Sequence, residues 1–371
     1  MKKTILSIIV FVNIITHLNA AILDEMKQSC DNGDFSVCFK LGVMYEDGDG
    51  VIKDDVKSVS YLSRACNGGE AFGCYGLGVR HMSGRGVKED AKSSVHYLSK
   101  ACDMGEYTSC GMLGALYSLG KGLKKDAIKG VSLYAKACEG KDAFGCLYLA
   151  KSYNLGKGIK KDKQKATIYY DKACTYGEVD GCFKLANMYY EGKGVVQNYA
   201  KAKEYYTKTC QGKKVVGCSN LGSIYERGEG VKQDYLEARK YYKIACSAGD
   251  STACSNLGIL HEQGNGIKQD YIRARDLYTM ACSGGNGEGC YNLAFLYHEG
   301  KGLKQDYVKA VASYSKSCDI GYVEACSNLG LMYVQGQGVE QSDVKAKELW
   351  KKACKGGNDI ACKNYKILDK R

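Results

Sequence analysis

Paired cysteines are the residues of this sequence whose type and spacing most directly indicate chemistry. The chain contains 20 cysteines. The members of each pair lie 8 residues apart, and each pair follows the previous one after 36 residues. Thiols at such a spacing can form disulfides or bind zinc. The pairs are Cys30 and Cys38, Cys66 and Cys74, Cys102 and Cys110, Cys138 and Cys146, Cys174 and Cys182, Cys210 and Cys218, Cys246 and Cys254, Cys282 and Cys290, Cys318 and Cys326, and Cys354 and Cys362.

Two disulfide patterns are compatible with this spacing. Local pairing uses every cysteine. The alternative, which starts with Cys38 and Cys66, joins the two ends of a helix hairpin and leaves Cys30 and Cys362 without partners. Local pairing is therefore predicted. Each bridge would connect the end of one helix pair to the start of the next.

The N-terminus has the features of an export signal. Lys2 and Lys3 precede an apolar stretch from Ile5 to Ile15, and Ala20 offers a small residue for cleavage. This pattern predicts a signal peptide over residues 1–20, and the apolar run is too short for a membrane span. The mature chain is then secreted or periplasmic, without a transmembrane anchor. An exported chain favours disulfides over zinc at the cysteines.

Other residues with reactive side chains do not form a recognisable catalytic motif. Ser-x-x-Lys, the nucleophile motif of serine β-lactamases, occurs at Ser118 with Lys121 and at Ser313 with Lys316. Neither the Ser-Asp-Asn nor the Lys-Thr-Gly motif that accompanies it occurs in the sequence. We therefore assign no catalytic residue.

The histidines and glycine turns do not predict a metal or cofactor site. Beyond residue 20 the histidines are His81, His96, His261 and His298. His81 and His261 replace a recurrent tyrosine, so we interpret them as core residues with satisfied hydrogen bonds. The Gly-Lys-Gly turns lack the Lys-Ser/Thr ending of a phosphate-binding loop.

The intervals between the cysteines predict a pair of helices in each unit of 36 residues. Between Glu178 and Tyr190 the residues Cys182, Leu185 and Tyr189 follow the apolar spacing of an amphipathic helix. Gly192 and Gly194 end it. A second helix is predicted from Asn198 to Cys210, with small residues such as Ala202 at its middle. Asp or Asn precedes most second helices as a predicted N-cap: Asp90, Asp126, Asp162, Asn198, Asp234, Asp270 and Asp306.

Composition and repetition together predict one stacked array. The 371 residues include 46 glycines and no proline, and 45% are hydrophobic, which excludes collagen and low-complexity disorder. Units of this size bury their apolar stripes only by stacking. We predict an all-α fold, an α-solenoid with a right-handed superhelix. Residues 21–371 would form a single array, with a leading helix at 22–33, nine repeats at 34–357 and a capping helix at 358–371.

One polar column stands out from the repeat pattern. Asparagine precedes the Leu-Gly or Leu-Ala step in the later repeats and lies at the equivalent place in the cap. We predict that this column lines the concave face and clamps a peptide backbone, while a polar helix face or a bond between repeats is the alternative. The residues are Asn220, Asn256, Asn292, Asn328 and Asn364.

Charge provides a weaker indication of partners. The formal net charge is +12, to which Lys2 and Lys3 contribute, and lysines occur in every repeat. This distribution predicts solvated helix faces and no nucleic-acid partner, since nucleic-acid binding needs a concentrated basic stripe. Attraction to acidic cell-wall polymers or anionic host partners stays open.

The columns resemble a known family. Residues 220–246 follow, almost completely, the pattern Leu-Gly-x-x-Tyr-x-x-Gly-x-Gly-Val-x-x-Asp-x-x-x-Ala-x-x-Tyr-Tyr-x-x-Ala-Cys. This resembles the Sel-1-like repeat, a relative of the tetratricopeptide repeat. The added cysteine pairs resemble the Helicobacter cysteine-rich proteins. That resemblance implies penicillin binding with weak β-lactamase activity, and secreted members that engage host cells.

Two functional hypotheses follow from these observations. The residues favour a scaffold that binds peptides or proteins on its concave face, with no cofactor. The resemblance implies the alternative, a β-lactam amide hydrolase. Near the C-terminal half, Thr252, Glu288 and Glu324 would select basic or amine-bearing segments, whereas Lys40 and Lys184 would select acidic ones near the N-terminal half.

Overall fold

The computed structural model describes residues 21–369, which form helices and no strand. The chain divides into two compact units. The first unit ends at Leu185 and the second begins at Ala186, and each is treated by itself below. The predicted signal peptide lies outside the described residues, and the single array with its terminal helices stays a prediction.

Helices with even numbers are the first helices of the repeats, and those with odd numbers are the second helices. Most of them contain 13 residues. Helix α1 covers residues 21–31 within the described range. The others are α2 Phe35–Asp47, α3 Asp55–Asn67, α4 Ala71–Ser83, α5 Ala91–Asp103, α6 Tyr107–Leu119, α7 Ala127–Glu139, α8 Ala143–Leu155, α9 Lys163–Thr175, α10 Val179–Glu191, α11 Tyr199–Gln211, α12 Val215–Arg227, α13 Tyr235–Ser247, α14 Ser251–Gln263, α15 Tyr271–Ser283, α16 Gly287–Glu299, α17 Tyr307–Ile320, α18 Val323–Gln335, α19 Asp343–Lys355 and α20 Asp359–Asp369.

Side-chain caps and left-handed glycines set the helix ends. The Asp234 carboxylate accepts hydrogen bonds from the backbone N–H groups of Leu236 and Glu237 at the start of α13. Gly228 ends α12 with φ +70°. The seven predicted N-caps of second helices all accept such bonds, which confirms them. In two turns between repeats, Lys141 and Lys213 adopt the positive φ that glycine provides in the others.

Small residues let the two helices of a repeat approach closely. A Cβ added at Gly222 of α12 would lie 2.5 Å from the Tyr242 ring of α13. The predicted small residues of the second helices, such as Ala202 and Ala238, are fully buried. Within each unit the first helices pack on the second helices of their repeats, as α6 does on α7 and α14 on α15, and second helices pack on the next first helices, as α7 does on α8 and α15 on α16. This arrangement confirms the prediction of an all-α fold built from two-helix repeats.

Ten disulfides connect the repeats at the places where one helix pair meets the next. All join cysteines 8 residues apart, and their Cα atoms lie 4.4 to 4.9 Å apart. This separation is within the range of unstrained disulfides. Each bridge links the last turn of a helix with an odd number to the first turn of the following helix.

Cations on several second helices reach the preceding second helix. Lys100 of α5 donates a hydrogen bond to the carbonyl oxygen of Cys66 over 2.9 Å, and Lys136 of α7 donates to Cys102 over 3.0 Å. Arg64 and Lys352 make the same contact with Cys30 and Cys318. These cations lie at the negative end of the preceding helix dipole, where positive charge is stabilising.

Candidate functional site

The asparagine column lies on the first helices of the second unit. Asn220, Asn256, Asn292 and Asn328 are half-buried on α12, α14, α16 and α18. Each precedes a leucine of the core, such as Leu221, which is fully buried. Asn364 occupies the same register on α20 and is also half-buried.

Three of these amides lie beside tyrosine hydroxyls of neighbouring helices. The side chain of Asn220 lies beside the Tyr206 hydroxyl, and that of Asn256 lies beside the Tyr242 hydroxyl. The Asn328 amide donates to the hydroxyls of Tyr291 and Tyr314, each over 3.4 Å. The side chain of Asn292 makes no hydrogen bond to another described residue. The column therefore has a structural role at three positions and an unengaged amide at Asn292.

Three tyrosine hydroxyls of the second helices donate to first-helix side chains of their own repeat. Tyr206 donates to Asn187 over 2.7 Å, Tyr242 to Glu226 over 2.6 Å and Tyr278 to Glu262 over 2.7 Å. Burial raises the pKa of the hydroxyls of Tyr206, Tyr242 and Tyr278, so they stay protonated donors at physiological pH. These bonds hold the carboxylates and amides in fixed positions on the first helices.

Four positions on each of α14, α16 and α18 form what we call the first-helix face of the second unit. They are spaced by four, three and four residues, so they lie on one side of each helix. None of them is buried. Helix α14 packs against α16, which brings the rows of these two helices close together. The face consists of Thr252, Asn256, Ile259, Gln263, Glu288, Asn292, Phe295, Glu299, Glu324, Asn328, Leu331 and Gln335.

Negative charge dominates this face. Helices α14, α16 and α18 contain no lysine or arginine. Glu288 and Glu324 form no ion pair with a described residue, whereas Glu299 lies 2.7 Å from His298. Burial, and then the charges of Glu288 and Glu324, raise the pKa of the nearby Tyr322. A cationic group is thus favoured beside Glu288 and Glu324.

Apolar side chains lie between the amides and the acids. Ile259 and Phe295 are half-buried, and Leu331 is exposed. The ammonium group of Lys301 lies 4.7 Å from the centre of the Phe295 ring and covers part of it. Our sequence reasoning missed this column, although an apolar residue recurs three residues after Asn256, Asn292 and Asn328. That spacing places the two columns on the same face.

A cavity adjoins the end of this face. It has a volume of about 490 Å³ and lies at the N-termini of α18 and α20. Tyr322, Glu324, Asp359 and Ile360 line it together with the glycines of two turns. An aromatic ring and two carboxylates make it suited to the end of a lysine or arginine side chain.

The two Ser-x-x-Lys pairs do not form a nucleophilic site. The Ser118 hydroxyl is bonded to Tyr134, and Lys121 lies 3.6 Å from Glu89. Ser313 is half-buried on α17 and Lys316 is exposed. In the described structure neither lysine hydrogen-bonds its serine, so the arrangement that would activate the serine is not seen at either pair.

The histidines do not converge on a metal site. His81 stacks on Tyr97, and His96 packs edge-on against the same ring. Within residues 21–369 no group of three His, Cys, Asp or Glu residues has the geometry of a metal site. The expectation of satisfied core histidines is wrong in one respect, because the buried Nδ1 atoms of His81 and His261 lack hydrogen-bond partners there.

Comparison with protein families identifies the repeat. The model of the Sel1 repeat matches nine consecutive segments of the chain, at residues 36–70, 71–106, 109–142, 143–175, 179–213, 215–250, 251–286, 287–322 and 323–358. The chain belongs to the Sel1 repeat family. No curated protein matches this Sel1 repeat protein at a significant level.

Solved structures support the same assignment. A protective antigen present in uropathogenic Escherichia coli strains, which displays an SLR fold, is 29% identical. The match has a TM-score of 0.77 and covers 91% of this chain and 80% of the antigen. A Sel1 repeat protein from Oxalobacter formigenes is 26% identical with a TM-score of 0.57, over 66% of this chain and 96% of its own.

A cysteine-rich relative is also similar in sequence. Cysteine rich protein B of Helicobacter pylori is 36% identical over 35% of this chain and 93% of its own, with a TM-score of 0.30. These comparisons do not bear on β-lactam hydrolysis, so that activity stays a prediction from the resemblance. Among residues 21–369 no helix is long and apolar enough to cross a membrane.

Proposed function

We propose that this Sel1 repeat protein is a binding scaffold whose first-helix face in the second unit holds an extended polypeptide segment that carries lysine or arginine side chains. One observation carries the proposal. Asn256, Asn292 and Asn328 lie in register beside the unpaired carboxylates of Glu288 and Glu324, on helices without a cation.

The amides would recognise the backbone of the segment. An asparagine side chain offers two N–H donors and a carbonyl acceptor, which match the C=O and N–H groups of an extended chain. Asn292 has all of these free of bonds to described residues. Asn328 is held in place by Tyr314, and Asn256 lies beside Tyr242. Such positioning lowers the entropy that binding would otherwise cost.

The acids and apolar residues would select the side chains of the segment. Glu288 and Glu324 favour a cationic residue, and Ile259 and Leu331 favour an aliphatic one. The cavity at the start of α18 and α20 would hold a terminal cationic side chain between Tyr322 and Asp359. Affinity should be modest, because each hydrogen bond contributes about 1 kcal/mol.

The ten disulfides support a position outside the cytoplasm, since disulfides persist in oxidising compartments. The signal peptide at residues 1–20 belongs to this proposal. A secreted or periplasmic scaffold would meet host or cell-wall proteins as partners. β-Lactam hydrolysis is left out, because no observation on Ser118 or Ser313 favours it.

The test uses a short unstructured peptide that alternates lysine and valine, and a control peptide with glutamate in place of lysine. The lysine peptide should bind and the glutamate peptide should not. Asn292→Ala should weaken binding about fivefold, the equivalent of one hydrogen bond, at an unchanged melting temperature. Glu324→Gln should weaken it further, whereas Glu348→Gln on α19, with the same change in net charge, should not.

Asn328→Ala is the internal comparison. It should lower the melting temperature as well, because Tyr291 and Tyr314 lose a bond. If a combined Asn256→Ala and Asn292→Ala variant binds normally but is less stable, the column is purely structural and the proposal fails.

A further inference from the structure

Three cations lie in register on consecutive second helices of the second unit. Lys203 of α11, Arg239 of α13 and Arg275 of α15 occupy the same position of the repeat and are half-buried. The first unit has no charge at this position, where it carries Val59, Val95, Val131 and Thr167.

A groove on α13 adds further positive charge to this row. It has a volume of about 590 Å³ and is lined by Arg239, Lys240, Lys243, Ile244 and Ser247. Lys240 lies 3.1 Å from Glu237. Arg239 and Lys243 form no ion pair with a described residue, so both guanidinium and ammonium remain available to a ligand.

The groove lies beside a position of the repeat at which isoleucine replaces lysine. In α5 and α7 the corresponding residues, Lys100 and Lys136, reach the carbonyl oxygen of a cysteine on the preceding second helix. Helix α13 carries Ile244 there, which is 47% exposed and cannot make this bond. Ile244 therefore forms an apolar surface between the cations of the groove, and no side chain crosses it.

Charge is separated between the two kinds of helix. Helices α11, α13 and α15 together carry eight lysines and arginines and three acids. Those acids pair with Lys208, Lys240 and Arg275. The first helices α12, α14 and α16 carry one arginine and four acids. The excess of cations thus lies on the second helices alone.

The geometry points to a binding site for a linear, sulfated or carboxylated polysaccharide along α11, α13 and α15. Cations repeated at a fixed position in successive repeats match the regular anions of a polymer. A polysaccharide fits better than a nucleic acid because ten disulfides place the chain among extracytoplasmic polymers. A groove that extends a row of half-buried cations suits a narrow chain better than the flat surface of a membrane.

The test is a titration of the oxidised full chain with heparin as the sulfated probe, over a series of salt concentrations. A variant with Arg239→Gln and Lys243→Gln is compared with a variant with Lys124→Gln and Lys125→Gln. The second pair is exposed in the first unit and removes the same charge. The Arg239 and Lys243 variant should raise the heparin Kd about tenfold or more, and lower the salt slope by about 1.5. The control variant should change Kd less than about threefold.

Three results would overturn the inference: equal weakening by both variants, an unchanged salt slope, or competition by duplex DNA or anionic lipid vesicles as effective as that by heparin. Should the double variant unfold, Lys243→Gln alone, at an exposed residue, provides the same comparison. Binding of the lysine peptide to the first-helix face should be unaffected, so failure here is separable from failure of the proposed function.

Discussion

The two units share their helix pairs and disulfides but differ in how they accommodate buried polar groups. In the second unit Tyr242 and Tyr278 project into the helix pair and donate to Glu226 and Glu262. At the same register the first unit starts with Leu62 and Leu98, which are buried and need no partner. The second unit thus pairs the polar groups of its core by hydrogen bonds, whereas the first unit has apolar residues at some of the same positions.

The loops within the repeats show the same difference. Gln233 donates to the carbonyl oxygen of Glu226 over 2.7 Å and to the Tyr235 hydroxyl over 2.9 Å, and Gln269 repeats this arrangement. The corresponding residues of the first unit include Glu89 and Lys125, which make no such bond in the described structure. Cysteines, glycines and N-caps therefore suffice for the fold, and the remaining positions are free to build distinct surfaces.

Among the changes that test this difference between the units, removal of one disulfide from each unit should have the largest effect on the free energy of unfolding. Cys246→Ala with Cys254→Ala, and Cys102→Ala with Cys110→Ala, should each lower the free energy of unfolding by roughly 2.5 kcal/mol, because both bridges close equally short loops. Urea unfolding measures both. A loss in one unit only would show that its hydrogen-bond network replaces the bridge.

Removal of single tyrosine hydroxyls tests the networks directly. Tyr242→Phe should cost about 2 kcal/mol, since Glu226 loses a hydrogen bond to a charged group. Tyr170 at the same register of the first unit has no hydroxyl partner among the described residues, and burial raises its pKa to about 12. Tyr170→Phe should therefore change stability by less than about 0.5 kcal/mol. Equal costs in urea unfolding would contradict the difference between the units.

The parts of the structure that followed from the sequence are those fixed by local rules. Cysteine spacing, glycine turns and Asp or Asn caps act within a few residues, so the helix pairs and their ends could be predicted. The tyrosine partners depend on contacts between helices and vary from Asn187 to Glu226. No pattern within one helix reveals them.

The position of Arg80 in the repeat carries a sequence signal for burial that our sequence analysis did not consider. Arg80 is 2% exposed and its guanidinium pairs with Glu46 and Asp55. In every other repeat except that of Ser152, this register holds an apolar residue, such as Met44 or Leu116. The column therefore indicates burial even where the residue is charged. The candidate surfaces are harder to predict, because they depend on which columns share a face.

An exchange of serine and alanine at one register of the two units should change the free energy of unfolding less than Tyr242→Phe does. The Ser58 and Ser94 hydroxyls are buried without a partner in the described structure, whereas the second unit has Ala238 at this register. Ser94→Ala should raise the free energy of unfolding by about 1 kcal/mol, and Ala238→Ser should lower it by a similar amount. If Ser94→Ala destabilises the protein, the hydroxyl has a partner such as an ordered water.

The smallest expected effect depends on pH. His261 of α14 replaces the recurrent tyrosine, and burial lowers its pKa from the usual 6.5. The positive charges of Arg273 and Arg239 act in the same direction, and Asp270 opposes them. The unfolded chain therefore binds a proton at this site before the folded chain does. Stability should fall as the pH drops below about 6.5, in proportion to the pKa difference.

His261→Tyr restores the common residue and should remove this loss. Urea midpoints at pH 7.5 and pH 5 should differ less for the variant than for the native chain, while losses from aspartates and glutamates stay common to both. Arg239→Gln should give an intermediate result, because it removes one of the two guanidinium groups near the imidazole. An unchanged difference between the two pH values in both variants would mean that His261 is protonated as easily in the folded second unit as in the unfolded chain.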